Sequence, residues 1–454
     1  MEDNERTLIR TSQTLGNGSH DWRLGRLCTQ CRSLNVDDPS RDRLTPAVPT
    51  SKKITISKDS SCLFCRLVHS ICVPDEQAIA SDLTIEAHVE LIRAPFLPFN
   101  LALRMLAPAS ARNRYIVPHR GSHDGKTCTP YVKAISKEAI DWSIPRNWLS
   151  LCDTNHADSC ALPYMSRKQV PRFGFKLIDC EKRTIVRAEL DYRYVALSYV
   201  WGTPSTSAER PPIISRREAL FEFGERDIPL GKVSKTVEDA ILATLALEFK
   251  YIWVDKHCIA QNDSGDLENQ LPMMNQIYES ASMTIIAAAG ANSSYGLPGL
   301  SRARHGPPTT QIGRTTWSAG HATIASPLQF SPWYERAWTY QEAIFSHRRL
   351  IFTDEQLFFE CNKSACCEMV AFNVNTEYHA GGSYDAVFIK SALRLDTLSF
   401  LEHLELYTKR TLSHQSDVLK AVQGLFRSLT SGDRPQLQYW GIPIQPRTYS
   451  KFKT

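Results

Sequence analysis

From residue 172 onward the chain alternates short, wholly apolar runs with stretches of helical period. Phe173 to Asp179 and Thr184 to Glu189 read as two strands around the turn Cys180-Glu181-Lys182-Arg183. Tyr194 to Tyr199 is a third strand, stopping before Trp201-Gly202. Beyond a Pro-containing loop, Thr236 offers an N-cap to a helix with Val237, Ile241, Thr244 and Leu245 on one face. Tyr251 to Asp255 is a buried-type strand ending on an acid. A helix with the stripe Leu271, Met274, Tyr278 and Ala281 follows, with Pro272 in its first turn, and then the strand Met283 to Ala289. Tyr334 to His347 has helical period, and Arg349 to Phe352 is a further strand. Strands apolar on both faces and separated by helices predict an α/β fold, a parallel sheet covered by helices on both faces.

The flanks are weaker in pattern. Residues 1 to about 60 are polar and interrupted by Pro39, Pro46 and Pro49, which predicts a loosely ordered arm. A helix is expected over Cys62 to Ile71, and short strands and loops over Ser81 to Tyr131. Past Asp354 only Ala386 to Lys409 and Ser416 to Leu429 stand out, both as helices. The expected units are therefore a cysteine-containing N-terminal extension (1–170), an α/β unit (171–353) and a mainly helical C-terminal segment (354–454).

Composition narrows the class. The 454 residues carry 53 Lys+Arg against 48 Asp+Glu, a net charge of +5 that leaves no nucleic-acid footprint. No run approaches the ~20 apolar residues needed to span a bilayer, and the charged N-terminus lacks a secretory signal. A cytoplasmic protein with no membrane partner is expected. In that compartment the 13 cysteines read as thiols or metal ligands rather than disulfides.

Two sets of residues could carry chemistry. Ligands in open parallel sheets bind at the carboxyl ends of strands, where Ser198-Tyr199-Val200-Trp201-Gly202, Asp255-Lys256-His257-Cys258 and the loop beyond Gly290 fall. Trp338 and Glu342 lie one helical turn apart, an aromatic wall beside an acid that suits a sugar or nucleotide. The plainer alternatives are Asp255 as a turn cap, Trp201 and Trp253 as core, and Glu342 in a surface ion pair. Motifs for P-loops, zincins, serine hydrolases and Rossmann dinucleotide binding are missing.

The second set is sulphur. Cys28-x-x-Cys31 and Cys62-x-x-Cys65 form two knuckles that could together give tetrahedral zinc its four ligands, a structural site with no open position. Cys152, His156 and Cys160 make a further cluster. The alternative is that cysteines such as Cys62, Cys65 and Cys72 are small apolar residues on a helix.

Taken together, YVALSYVWG (194–202), YIWVDKHCIAQND (251–263) and RAWTYQE (336–342) resemble the three signature blocks of the fungal heterokaryon incompatibility (HET) domain. The Met273-Met274 helix, the strand at Met283 and Gly296-Leu297-Pro298-Gly299-Leu300 agree with the connecting pieces. His257 and Ser234 depart from the usual residues, and Thr454 comes early for this family, as in a truncated copy. The resemblance implies non-self recognition leading to regulated cell death, and a core similar to Toll/interleukin-receptor (TIR) domains. Some TIR domains cleave NAD with a helix-borne glutamate. By that analogy Glu342 is the catalytic carboxylate with Trp338 beside it, and Ser198, Tyr199, Trp201, Gly202 and Asp255 line the cleft. The alternative is a non-enzymatic module that signals by self-association as a homo-oligomer.

Overall fold

The computed structural model describes residues 27–32, 51–56, 60–72, 85–92, 102–106, 114–119, 131–160, 174–188, 192–202, 227–312, 315–320, 325–371, 387–388, 397–431, 437–439 and 442–444. Two sheets organise it. The first has six strands: β1 (Ser51–Ile56), β2 (Ile85–Ile92), β3 (Ala102–Leu106), β4 (Arg114–Pro118), and β12 (Thr309–Ile312) and β13 (Thr315–Gly320) from much later in the chain. All its pairings are antiparallel, in the order β1-β2-β3-β4-β13-β12. Helix α1 (Thr29–Arg32) and helix α2 (Leu63–Cys72) belong to this part of the chain. Phe64, Leu67 and Val68 of α2 share a small core with Ile116 of β4 and Trp317 of β13. The expected loose N-terminal arm therefore contains a short helix and an edge strand.

The second sheet has nine strands, flanked in sequence by helices α3 (Ser143–Asn155) and α4 (Ala157–Cys160). The hairpin β6 (Lys176–Asp179) and β7 (Thr184–Arg187) leads to β8 (Tyr194–Ser198). Next come β9 (Ile228–Pro229), β10 (Tyr251–Trp253), β11 (Met283–Ala287), β14 (Arg348–Phe352), β15 (Leu357–Cys361) and β16 (Ala365–Cys367). Four strands, in the order β14-β11-β8-β10, are parallel. They are the apolar runs of the sequence, and every residue of β8, β11 and β14 is buried.

The expectation of a parallel sheet holds for this centre only. Antiparallel pairs extend both edges, β6-β7-β9 beyond β10 and β15-β16 beyond β14. Hairpins need no crossover helix, so they add width to the sheet without another βαβ unit. The C-terminal segment has helices in both of its expected helical regions, but it begins with strands. It opens with β15, β16 and β17 (Val370–Ala371), the last paired with β5 (Tyr131–Val132), before its helices begin.

Several boundaries shift for local reasons. Helix α5 (Lys235–Ala246) is capped by Ser234, whose Oγ accepts from the Val237 N–H. Thr236 lies inside the helix and accepts instead from the Gly296 N–H at 3.1 Å. Pro272 does not open a helix; it sits in a 3-10 turn (Leu271–Met273) that joins α7 (Ser264–Gln270) to α8 (Met274–Ser280). Asp255 begins the single-turn helix α6 (Asp255–Cys258) rather than ending a strand.

Helix α9 (Ala325–Gln329) and helix α10 (Ala337–Phe345) precede β14. Helix α11 (Thr397–Thr408) and helix α12 (Gln423–Ser431) lie near α10. The Tyr340 hydroxyl meets His403 Nδ1 at 2.5 Å, and the Gly424 N–H donates to Gln341 Oε1 at 2.8 Å. The Arg410 guanidinium lies 4.1 Å from the Tyr334 ring and 4.7 Å from that of Tyr340. Such cation–π contacts strengthen when shielded from water, and Arg410 is buried.

Candidate functional site

The parallel centre brings three loop features to its carboxyl end. Ser198 is the last residue of β8, and the chain turns through Trp201 to Gly202 at φ +79°. A Cβ added to Gly202 would stand 2.4 Å from Asn292 Cβ, so the loop beyond Gly290 presses against this turn. Only glycine combines that positive φ with that approach. The Ser293 N–H donates to the Trp201 carbonyl, joining the same two loops.

Glu342 comes from α10, on the other side of Ser198. Its helix starts at Arg336, whose Nη1 donates to the Tyr199 carbonyl at 2.9 Å, fixing α10 against the end of β8. Trp333 Nε1 donates to Ser198 Oγ at 2.7 Å, and Ser198 Oγ donates to Glu342 Oε2. An indole only donates, so the serine's own proton is directed at the carboxylate. Glu342 is 6% exposed. Asp255 is half-buried, and Trp201 Nε1 lies 3.1 Å from each of its carboxylate oxygens. Lys256 Nζ stands 5.8 Å from the centre of the Trp201 ring.

The two acids share an electrostatic fate. Burial, then the nearby Asp255 charge, push Glu342 up to about 7, against the Ser198 hydrogen bond and the Arg336 charge. Burial likewise raises Asp255 to about 6, against the Lys256 N–H, Arg336 and Trp201. Tyr278, whose hydroxyl donates to the Leu197 carbonyl at 3.0 Å, is pushed well above its ordinary value by burial and by the Glu342 charge. Paired acids displaced towards neutrality at the carboxyl end of a parallel sheet form a recognisable candidate reaction centre.

Ser198, Glu342, Asp255, Trp201 and Gly202 thus gather around this end, and Tyr199 is buried beside them. Trp338 is half-buried on α10 and packs against the main core, while the indole linked to Glu342 through Ser198 is that of Trp333. Trp333, Arg336 and Tyr278 are contributors that spacing alone does not single out. Trp333 precedes the helix, so no helical period connects it with Glu342.

The sulphur knuckles also come together. Cys28 and Cys31 flank and occupy α1, and Cys62 and Cys65 start α2. Their four sulphurs lie within 4.8 Å of one another. Cys65 Sγ is 3.7 Å from that of Cys28 and 3.5 Å from that of Cys31. Zinc–thiolate bonds of about 2.3 Å set tetrahedral S–S edges of about 3.8 Å, so the four cysteines fit a metal. None of the four is in a disulfide.

Residues 194–342 match the family described as Heterokaryon incompatibility protein (HET), so this segment is a HET domain. The match suggests a part in heterokaryon incompatibility and its attendant cell death. It begins at the first residue of β8 and ends on Glu342. No curated protein and no solved structure matches the chain. No helix among the described residues is long and apolar enough to cross a membrane.

Proposed function

We propose that this chain acts in fungal non-self recognition as a cytoplasmic NAD glycohydrolase, its HET domain built on a TIR-like core. The observation that carries the reading is the Trp333–Ser198–Glu342 chain with Asp255 as a second raised acid. NAD is the substrate. Cleavage breaks the bond between ribose C1′ and the nicotinamide nitrogen. The bonding electron pair leaves with nicotinamide, which departs neutral and needs no strong general acid. The ribose left behind is oxocarbenium-like, and an ionised Glu342 stabilises it electrostatically. Water then adds at C1′ and gives up a proton, for which Asp255 is the nearby acceptor. Trp201, beside Asp255, supplies a flat face for a base or the nicotinamide ring. Cys28, Cys31, Cys62 and Cys65 hold a structural zinc in this reading.

The test is NAD consumption by the purified full chain over a concentration series with a crowding agent, wild type beside Glu342→Gln. Removing a carboxylate that acts on the transition state predicts a loss of roughly a hundred-fold or more in turnover with the fold intact. Turnover that steepens with protein concentration would support activity through self-association. An inert wild type that remains toxic in a fungal host, equally with Glu342→Gln, overturns the enzyme reading in favour of a self-associating signalling module.

A further inference from the structure

We infer that the chain holds a second metal centre, a structural zinc bound by Cys152, His156, Cys160 and Cys361, which fastens the α3–α4 helices to the HET sheet. The four donor atoms lie within 4.8 Å of one another and all four residues are buried. Cys152, His156 and Cys160 are each four residues apart. Cys152 is in the last turn of α3, His156 is its C-cap, and Cys160 ends α4. The break at His156 keeps the path compact, since the Cys160 N–H still donates to the His156 carbonyl at 2.8 Å. Residues four apart share a face, so one side of this path presents three soft donors. The fourth arrives from the end of β15, some 200 residues away, where Cys361 Sγ stands 3.4 Å from His156 Nδ1.

That separation is what a shared ion would set. Zinc–sulphur and zinc–imidazole bonds of about 2.3 and 2.05 Å place the two ligand atoms about 3.6 Å apart in a tetrahedron. The surroundings are arranged for anionic sulphur. The Lys363 and Ser364 N–H groups donate to Cys361 Sγ at 3.4 and 3.3 Å from a turn closed by Cys361 N–H to Ser364 O. Arg348 Nε donates to Cys152 Sγ at 3.2 Å, and the same guanidinium pairs with Asp153. Three thiolates and one neutral imidazole around a divalent ion leave one negative charge, and Arg348 lies against it.

A purely apolar role explains these contacts less well. Small hydrophobic cysteines need no N–H donors at sulphur, and a buried imidazole with an arginine nearby is an expensive way to fill a core. The ligand set has no open position, so the site is structural. It joins segments on either side of the family-matched region, which the first zinc, among α1 and α2, does not touch.

The experiment is zinc content with X-ray absorption on the full-length wild-type protein, purified without chelator. Two such centres predict about two zinc ions per chain, averaging about 3.5 sulphur and about 0.5 nitrogen ligands each. Cys361→Ala should retain about one zinc with an all-sulphur shell, and His156→Cys about two with no nitrogen. Because Cys361→Ala is buried and can misfold, Cys28→Ala/Cys31→Ala gives an independent arm. That variant should still bind cobalt(II) with the spectrum of a three-sulphur, one-nitrogen tetrahedron. One zinc per wild-type chain in an all-sulphur shell overturns the inference, as does a folded Cys28→Ala/Cys31→Ala variant that takes up no cobalt. Peptide mapping that finds Cys361 in a native disulfide overturns it as well.

Discussion

The centre of the nine-stranded sheet and the six-stranded N-terminal sheet solve the same problem with different means. In the centre, β8 and β11 are enclosed on every side, and Val195, Leu197, Ile285 and Leu350 have no exposure at all. Burial of such side chains contributes about 1.5–3 kcal/mol each, so this region holds together by apolar packing. The N-terminal sheet gathers a much smaller cluster around Phe64 and Trp317, and three of its twelve buried members are the knuckle cysteines Cys31, Cys62 and Cys65. A core that small needs a staple. The difference teaches where polar strain can be tolerated: the well-packed centre carries two displaced carboxyl groups at its end, whereas the smaller core gathers four cysteine sulphurs within 4.8 Å of one another.

The largest way to break the comparison is to strip the proposed zinc. A strong chelator takes both proposed zinc ions, so it should abolish amide-exchange protection in β1, α2 and β4 and loosen α3 and α4 at the second site, while β8 and β11 remain protected. Structural zinc contributes about 10 kcal/mol or more of apparent folding energy in small domains, far above the local stability of a minor core. Equal loss in both sheets would show that they unfold as one unit.

A smaller effect concerns the acids. Glu342 holds its proton up to about 7 in the folded chain, above the ordinary carboxyl range, because burial disfavours its charge. Between those values the folded state binds more protons than the unfolded one, so stability is complete at low pH and falls as pH rises through about 7. Asp255 acts in the same sense up to about 6. Glu342→Gln should therefore be more stable than wild type at pH 8, by about 1–3 kcal/mol, with little difference at pH 4. Denaturant midpoints at the two pH values measure this, and a variant destabilised at pH 8 would mark Glu342 as a structural residue.

The smallest effect sharpens the site itself. Ser198→Ala removes a hydrogen bond that holds the Glu342 proton affinity down. If the ionised acid is the working form, activity rises with pH through about 7 in wild type. In Ser198→Ala that rise should move to higher pH, with turnover at its plateau changed by roughly ten-fold or less. A pH profile left in place would separate Ser198 from the acid's titration.

Much of the centre was legible because fully buried parallel strands are written as continuous apolar runs. Tyr194, Tyr251, Met283 and Arg348 each open a strand at or within a residue of its expected start. Glu342 was legible from its block, and the two cysteine knuckles from their spacing. Other features depend on distance rather than on pattern. Thr315–Gly320 becomes a strand by pairing with Arg114–Pro118, about two hundred residues away, and no local period announces that. Leu357–Cys361 is as apolar as β8 but has no helix after it, so alternation gave no cue. The Trp333 and Cys361 roles are tertiary in the same way, each side chain meeting its partners only after the sheet has formed.

The strand pair β12–β13 has a consequence for how the HET domain can be inherited and recombined. It lies inside the matched segment yet completes a sheet whose other four strands come from the first 120 residues. The helix bearing Glu342 leans, in turn, on the stretch around Thr411, whose carbonyl accepts the Ala337 N–H. Moved alone into another protein, residues 194–342 would bring an orphan hairpin with a bare edge and a helix lacking its outer brace. Bare edges invite pairing with whatever strand is near. The matched segment is not self-sufficient in this fold, and transplanting it is expected to succeed only when these neighbours are carried along.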